Sequence, residues 1–242
     1  MIVLFTDFGL EGPYIGQMQA VLHRDAPGVP VVNLTADAPR FDPRASAYLL
    51  AAYTSAFPDD SVFLCVVDPG VGGDRAPLVI QTGRSCYVGP DNGLLAAAAR
   101  RAQDPKAWRI TWRPPQLSAS FHGRDLFSPV AAKLGRGEPP PGEPLAAESL
   151  VGWDWPEDLA EVIYLDGFGN AMTGLRAATL KADSTLEAGG RKLARARTFS
   201  DVAPGEAFWY ENANGLAEIA VNQGRADELL GLRIGSAVQI SA

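Results

Sequence analysis

Apolar residues in the first half of the chain fall into short unbroken runs separated by stretches of helical spacing. Ile2–Phe5 is such a run, Tyr14–Arg24 places its apolar positions on one helical face, and Val29–Leu34 returns to extended patterning. Ala45–Ser55 reads as a second helix, Ser61–Val67, Leu78–Thr82 and Cys86–Gly89 as strands, and Gly93–Ala102 as an Ala-rich helix. Runs with no polar alternation belong to strands covered on both faces, so this half predicts an α/β domain with a mostly parallel sheet under helices.

The rhythm changes at Gly135–Pro144, where prolines and glycines cannot continue a helix. This predicts a Pro/Gly-rich linker over residues 141–150, joining an α/β domain (1–140) to a second domain (151–242). In the latter, Glu161–Leu165, Arg191–Phe199, Ala207–Tyr210, Leu216–Val221 and Ala237–Ile240 are short extended runs between Gly, Asn and Pro turns. They predict a smaller all-β domain, barrel-like or a sandwich. Asn212-Ala-Asn-Gly215 predicts a type I′ hairpin turn, with Leu216–Val221 as its return strand.

Composition removes several classes of function. A net charge of -7 opposes nucleic-acid binding, which needs a basic surface to displace counterions from phosphate. No run approaches a membrane span, and the first residues carry no basic leader, so a cytoplasmic protein is expected. Cys65 and Cys86 have neither metal-type spacing nor a disulfide framework and read as reduced packing thiols. No metal site is expected.

Chemistry concentrates in two polar clusters, Asp68-Pro-Gly-Val-Gly-Gly-Asp-Arg75 and Phe121-His-Gly-Arg-Asp125. The first follows the buried run ending at Val67, so Asp68 emerges at a strand's carboxyl end, where α/β proteins place ligands. Asp-Pro-Gly is also an ordinary turn sequence, and a lone His is often structural; together the clusters supply a carboxylate, a guanidinium and an imidazole able to hold a water. Asp7, after the first strand, shares that sheet edge and can accept hydrogen bonds from a ribose diol, or cap a turn. Asp166-Gly-Phe-Gly-Asn170 is either a tight hairpin or a loop whose Phe168 stacks on a flat ligand while Asn170 reads a ring edge. Phe41 and Phe199 read as core residues or stacking platforms, and Glu218, alternating with apolar neighbours, as solvent-exposed.

Thr6-Asp-Phe-Gly9, Asp68-Pro-Gly-Val-Gly72 with Arg75, Gly89-Pro-Asp-Asn-Gly93, Phe121-His-Gly-Arg-Asp125, Asp166-Gly-Phe-Gly-Asn170 and Leu216-Ala-Glu-Ile-Ala-Val-Asn222 occur in this order along nearly the whole chain. The ordered set resembles the S-adenosyl-L-methionine hydroxide adenosyltransferase family, the water-using relatives of the fluorinating and chlorinating adenosyl enzymes. The resemblance implies a homotrimer with inter-subunit active sites and hydrolysis of S-adenosyl-L-methionine to adenosine and L-methionine, with no metal or redox cofactor. It assigns Asp68, Arg75 and His122 to the water and Asp7 to the ribose hydroxyls. Phe41 and Phe121 would shape the C5′ pocket, while Asn170, Phe168, Phe199 and Val221 would surround adenine. Asp166 and the turn of Asn212, Ala213 and Asn214 would face the methionine end, with Glu218 among the substrate contacts. Ala213 stands where relatives often carry Ser, which removes a hydroxyl from that end.

Halogenating branches carry Tyr where this chain has Asp68, and a carboxylate there repels halide while holding water. Halide transfer and non-catalytic ligand binding are the alternatives. Full proton transfer from water (pKa about 15.7) to an ordinary imidazole (about 6.5) costs roughly 12 kcal/mol. The expected route therefore has Asp68 orienting water, Arg75 fixing Asp68, and His122 taking the proton late.

Overall fold

In a computed structural model, which describes residues 1–241, seven strands form one sheet. They are β1 (Ile2–Thr6), β2 (Val31–Thr35), β3 (Val62–Val66), β4 (Pro77–Thr82), β5 (Ser85–Pro90), β6 (Lys106–Ile110) and β7 (Gly142–Leu145), in the order β2-β1-β3-β5-β4-β6-β7. Helices α1 (Tyr14–Asp25), α2 (Pro43–Tyr53), α3 (Ala96–Arg100) and α4 (Ser128–Gly135) connect them, with a π-helical turn at Gly123–Phe127 leading into α4. Asp42 caps α2 through its carboxylate and the Ala45 N–H (2.9 Å), just ahead of Pro43, whose fixed φ suits a first helical position.

The sheet is mixed, not mostly parallel. β2, β1, β3 and β5 run parallel, whereas β4 pairs antiparallel with β5 and β6, and β6 with β7. Only Gly83 and Arg84 join β4 to β5, and so short a connection permits a hairpin but no parallel crossover. The expected linker over 141–150 is also corrected. Gly142–Leu145 forms an edge strand on β6, a position that tolerates Pro144, and the first compact unit extends to Trp155. The predicted helix over Gly93–Ala102 shortens to α3.

Buried Ile2, Leu4, Val62, Leu64 and Val66 pack with Met18 and Leu22 of α1, with Leu126 and Phe127, and with Val130 of α4. This core holds rigid the carboxyl ends of β1 and β3, which are neighbours with Thr6 opposite Val66. The chain passes from β1 to β2 on one side and then to β3 on the other, so a crevice opens between β1 and β3 at the reversal of strand order.

The second unit comprises Ala52–Ala56 and the chain from Pro156 onward. Its strands are β8 (Leu159–Leu165), β9 (Ala171–Arg176), β10 (Thr185–Ala188), β11 (Arg191–Leu193), β12 (Ala207–Glu211), β13 (Leu216–Val221) and β14 (Gln239–Ser241), with α5 over Ala226–Leu230. They form two antiparallel sheets, β12-β13-β9-β8 and β11-β10-β14, linked by isolated bridges Glu161–Ala237 and Arg195–Trp209. Trp209 is fully buried, and its Nε1 donates to the Ser184 carbonyl at 3.1 Å. The strand predicted over Arg191–Phe199 ends at Leu193. The turn before β13 is not type I′, which needs two residues at positive φ; only Gly215 (φ 78°) takes one, as in longer hairpin loops.

Among the described residues, no helix is long and apolar enough to cross a membrane.

At Gly93 (φ 95°) an added Cβ would lie 2.1 Å from the Trp155 ring. Gly93→Ala should therefore destabilise the first unit by about 1–3 kcal/mol, read as a lower denaturation midpoint with an unchanged slope.

Candidate functional site

The crevice between β1 and β3 is a cleft of about 460 Å³ lined by Asp7, Phe8, Tyr14, Arg40, Phe41, Val66, Asp68, Val71, Ser120, Phe121, His122 and Gly123. Two sequence clusters reach it because two turns, Val71 N–H to Asp68 carbonyl and Gly73 N–H to Gly70 carbonyl, fold the chain back after β3. Gly72 (φ 81°) then packs so closely on the segment leading into the second cluster that a Cβ would stand 2.5 Å from the Ala119 carbonyl. Asn92 ties the same strand end, donating from Nδ2 to the Val67 carbonyl at 2.9 Å.

Arg75 lies behind the cleft wall and joins both clusters. Its Nε donates to both Asp68 oxygens (3.1 and 3.0 Å) and its Nη2 to Asp68 Oδ2 at 2.5 Å. The same Nη2 lies 2.8 Å from His122 Nδ1. Side-chain exposure is 10% for Arg75 and 4% for Asp68, so the pair is desolvated, and the guanidinium sits 5.3 Å from the Phe127 ring centre. Burial and the adjacent Arg75 charge push the His122 pKa below its ordinary 6.5. All three residues of the expected water-handling set are thus brought together.

Asp7 faces the same cleft. Its Oδ2 accepts the Phe41 N–H at 3.1 Å, and desolvation, opposed by that hydrogen bond, raises its pKa. Phe41 adopts φ 58° and is 75% exposed, a strained backbone presenting a bare ring. It is therefore not the core residue of the alternative reading. Phe8, Tyr14 and Phe121 form an aromatic cluster with centroids 5.4–5.9 Å apart, in which Phe121 meets both other rings edge-on. Phe8, Tyr14 and Arg40 escaped sequence reasoning, although Phe8 follows Asp7 directly. Arg124 and Asp125 are absent from the cleft. Arg124 pairs with Asp125 and covers the Phe121 ring at 5.0 Å, while Asp125 accepts the Ser118 N–H.

The second unit holds its own cleft, about 700 Å³, lined by Asp166, Phe168, Asn170, Phe199, Tyr210, Glu218, Val221, Gln223, Gly224 and Arg225. Asp166-Gly-Phe-Gly-Asn170 is the β8–β9 hairpin loop. Asp166 Oδ1 accepts the Phe168 and Asn170 N–H groups, and Oδ2 accepts Asn170 Nδ2, each at 2.9 Å. The loop thus satisfies itself and leaves Phe168 80% exposed. Phe199 meets Phe208 and Tyr210 at 5.2 and 5.4 Å between ring centres.

Glu218 is buried, contrary to the solvent-facing expectation, because β13 lies inside its sheet with every residue covered. Its carboxylate accepts Tyr210 Oη at 2.6 Å and Asn212 Nδ2 at 2.7 Å, and burial raises the pKa of both Glu218 and Tyr210. Tyr210 escaped sequence reasoning for want of any signal beyond strand alternation. Asn212 and Ala213 do not line this cleft; Asn212 is buried behind Glu218 and Ala213 is exposed.

A larger depression of about 870 Å³ includes Arg24, Arg124, Lys133 and Arg136, but each of these cations is in an ion pair. Among the described residues, no group of three or more His, Cys, Asp or Glu is placed to hold a metal ion.

Residues 2–142 match the family model for the SAM hydroxide adenosyltransferase N-terminal domain, and residues 160–239 that for its C-terminal domain. The chain is 42% identical to an (R)-S-adenosyl-L-methionine hydrolase of Thermus thermophilus, over 99% of this chain and 98% of that one. It is 37% identical to a protein of the same name from Salinispora arenicola, over 98% and 96% of the two chains. The crystal structure of an uncharacterized conserved protein from Thermotoga maritima aligns over the whole of both chains, with a TM-score of 0.90 and 32% identity.

Gly72→Ala should separate the two clusters and lower thermal stability by an amount equivalent to about 1–3 kcal/mol. Glu218→Ala should leave Tyr210 and Asn212 without their partner, at about 1–3 kcal/mol for each group that stays dry, measurable by denaturant unfolding.

Proposed function

Because this chain belongs to the SAM hydroxide adenosyltransferase family, we propose that it hydrolyses S-adenosyl-L-methionine to adenosine and L-methionine by attack of a water-derived oxygen at C5′. The observation that carries this reading is the Asp68–Arg75–His122 linkage at the wall of the β1/β3 cleft. The C5′–S bond breaks with its electron pair passing to sulfur, so a sulfonium leaves as neutral methionine and the leaving group needs no acid. Asp68 orients the nucleophile by accepting its O–H, and the same negative charge disfavours halide in its place.

Asp7 takes the ribose hydroxyls, using the oxygen not committed to Phe41, and its desolvation strengthens such bonds. Phe41 and Phe121 wall the C5′ region. Phe168, Phe199, Asn170 and the Val221 segment receive adenine, with Asn170 held by Asp166, while Asp166 and the Asn212–Asn214 turn serve the methionine end. Glu218 supports this surface through Tyr210 and Asn212.

Each cleft carries only half of these contacts, and each exposes a phenylalanine that water solvates poorly. These features support a homotrimer in which the first unit of one subunit meets the second unit of its neighbour. The two bridged sheets of the second unit are read as a small barrel. Two free thiols, one fully buried, fit a reducing cytoplasm.

Purified protein incubated with S-adenosyl-L-methionine in oxygen-18 water should release adenosine labelled at O5′. Binding without adenosine would leave a ligand-binding protein, and 5′-chloro-5′-deoxyadenosine formed in chloride would mark a halide transferase. Asp68→Asn and Arg75→Ala should each lower kcat by about 100-fold or more with a smaller change in KM, as expected when groups acting in the transition state are lost.

A further inference from the structure

We infer that His122 serves this reaction as a hydrogen-bond donor through Nε2 to the attacking water oxygen, and that it is not the base that takes water's proton. The inference rests on the hydrolytic reading above for its reaction, and on the ring geometry alone for the state of the imidazole.

A guanidinium carries only N–H donors and has no lone pair to offer. Arg75 Nη2 at 2.8 Å from His122 Nδ1 therefore requires Nδ1 to be the acceptor, with no proton of its own. A neutral imidazole has one N–H, and it must then stand on Nε2, the ring nitrogen left for the cleft that His122 lines. Arg75 cannot readily swing away. Three contacts hold it to Asp68, its side chain is nearly buried, and the Phe127 ring lies against it.

With Nε2 protonated, the ring's one free lone pair is on Nδ1, which faces Arg75. For Nε2 to be the base, the ring would have to carry its proton on Nδ1 against the Arg75 N–H, and the imidazolium so formed would be a cation in hydrogen-bond contact with another cation. Arg75 and Arg113 oppose that charge, while Asp68 and Asp125 favour it. Asp68 is engaged at both oxygens by Arg75, and Asp125 by Arg124 and the Ser118 N–H, so neither is free to stabilise an imidazolium fully. The direction of the His122 shift agrees.

The step balances without a side-chain base. A bound water points one O–H to Asp68 while its oxygen accepts from His122 Nε2–H, and its other proton passes to bulk solvent as the C5′–O bond forms, so no free hydroxide has to form beforehand. An oxygen lone pair makes the C5′–O bond, the C5′–S electron pair goes to sulfur, and no proton is left on the protein. Arg75 acts here as a positioning residue that sets the tautomer.

The test has two parts. In nitrogen-15 NMR of histidine-labelled protein, with His23 and His122 told apart by substitution, His122 should show a protonated Nε2 and a bare Nδ1 at neutral pH. A protonated Nδ1 would overturn the inference whether or not the protein turns over substrate. In kinetics, His122→Gln keeps an N–H donor near the Nε2 position but cannot take a proton near neutrality. It should stay within about 10-fold of the native kcat and show the same pH profile as the native protein measured beside it, whereas His122→Ala should lose about 100- to 1,000-fold, the usual range for a missing oxyanion donor. A folded, substrate-binding His122→Gln as inactive as His122→Ala would overturn the donor role. Absence of adenosine with the native protein would instead refute the hydrolytic reading and leave the NMR result to decide the tautomer.

Discussion

One guanidinium, Arg75, sets the first unit's site. It is nearly dry, and it spends its donors on a carboxylate seven residues away and an imidazole 47 residues away. Removing Arg75 would leave a buried carboxylate and a ring nitrogen without compensation, and removing Asp68 a buried guanidinium, which costs far more than the pair itself contributes. The close approach of Gly72 to Ala119, the amide of Asn92 on the Val67 carbonyl and the π-helical turn after His122 all serve the registration of these partners. In that turn Ser128 Oγ donates to the Gly123 carbonyl at 2.7 Å, anchoring the segment that carries the ring.

The two clefts share a logic. In each, an aspartate accepts the backbone N–H of a phenylalanine that is presented to solvent: Asp7 reaches Phe41 across 34 residues, and Asp166 reaches Phe168 within its own loop. Asp7 commits one oxygen to the Phe41 N–H and keeps the other for recognition, whereas Asp166 commits both oxygens to its loop. Glu218 differs in kind. It is buried under its cleft and fixes Tyr210 and Asn212 without meeting solvent, so its influence on a ligand passes through those two side chains.

Much of this was legible in the residues. The unbroken apolar runs located β1 and β3 because burial on both faces removes polar alternation, extended patterning located β2, β4 and β5, and glycine-rich polar clusters after β1 and β3 marked the site. The ordered motifs pointed to the family. The pairings of β4 with β6 and of β6 with β7 were not legible, because strand direction depends on connections whose course is set by packing. A proline-rich stretch such as Gly142–Leu145 reads as a linker until a neighbouring strand is known to run beside it. Asn212 was read at the turn it occupies, but its bond to Glu218 required the register of β12 on β13.

By itself, then, the sequence determined the two-part division, the residue types available for chemistry and the strand ends from which Asp7 and Asp68 emerge. These are local properties, set by patterning and turn chemistry within a few residues. Tertiary structure decided which of those residues meet. It brought Arg75 between Asp68 and His122, assigned the imidazole proton to Nε2, turned Glu218 inward and left Phe41 and Phe168 bare. Contacts between residues distant along the chain depend on sheet order and loop approach in three dimensions, and no spacing along a single chain encodes them.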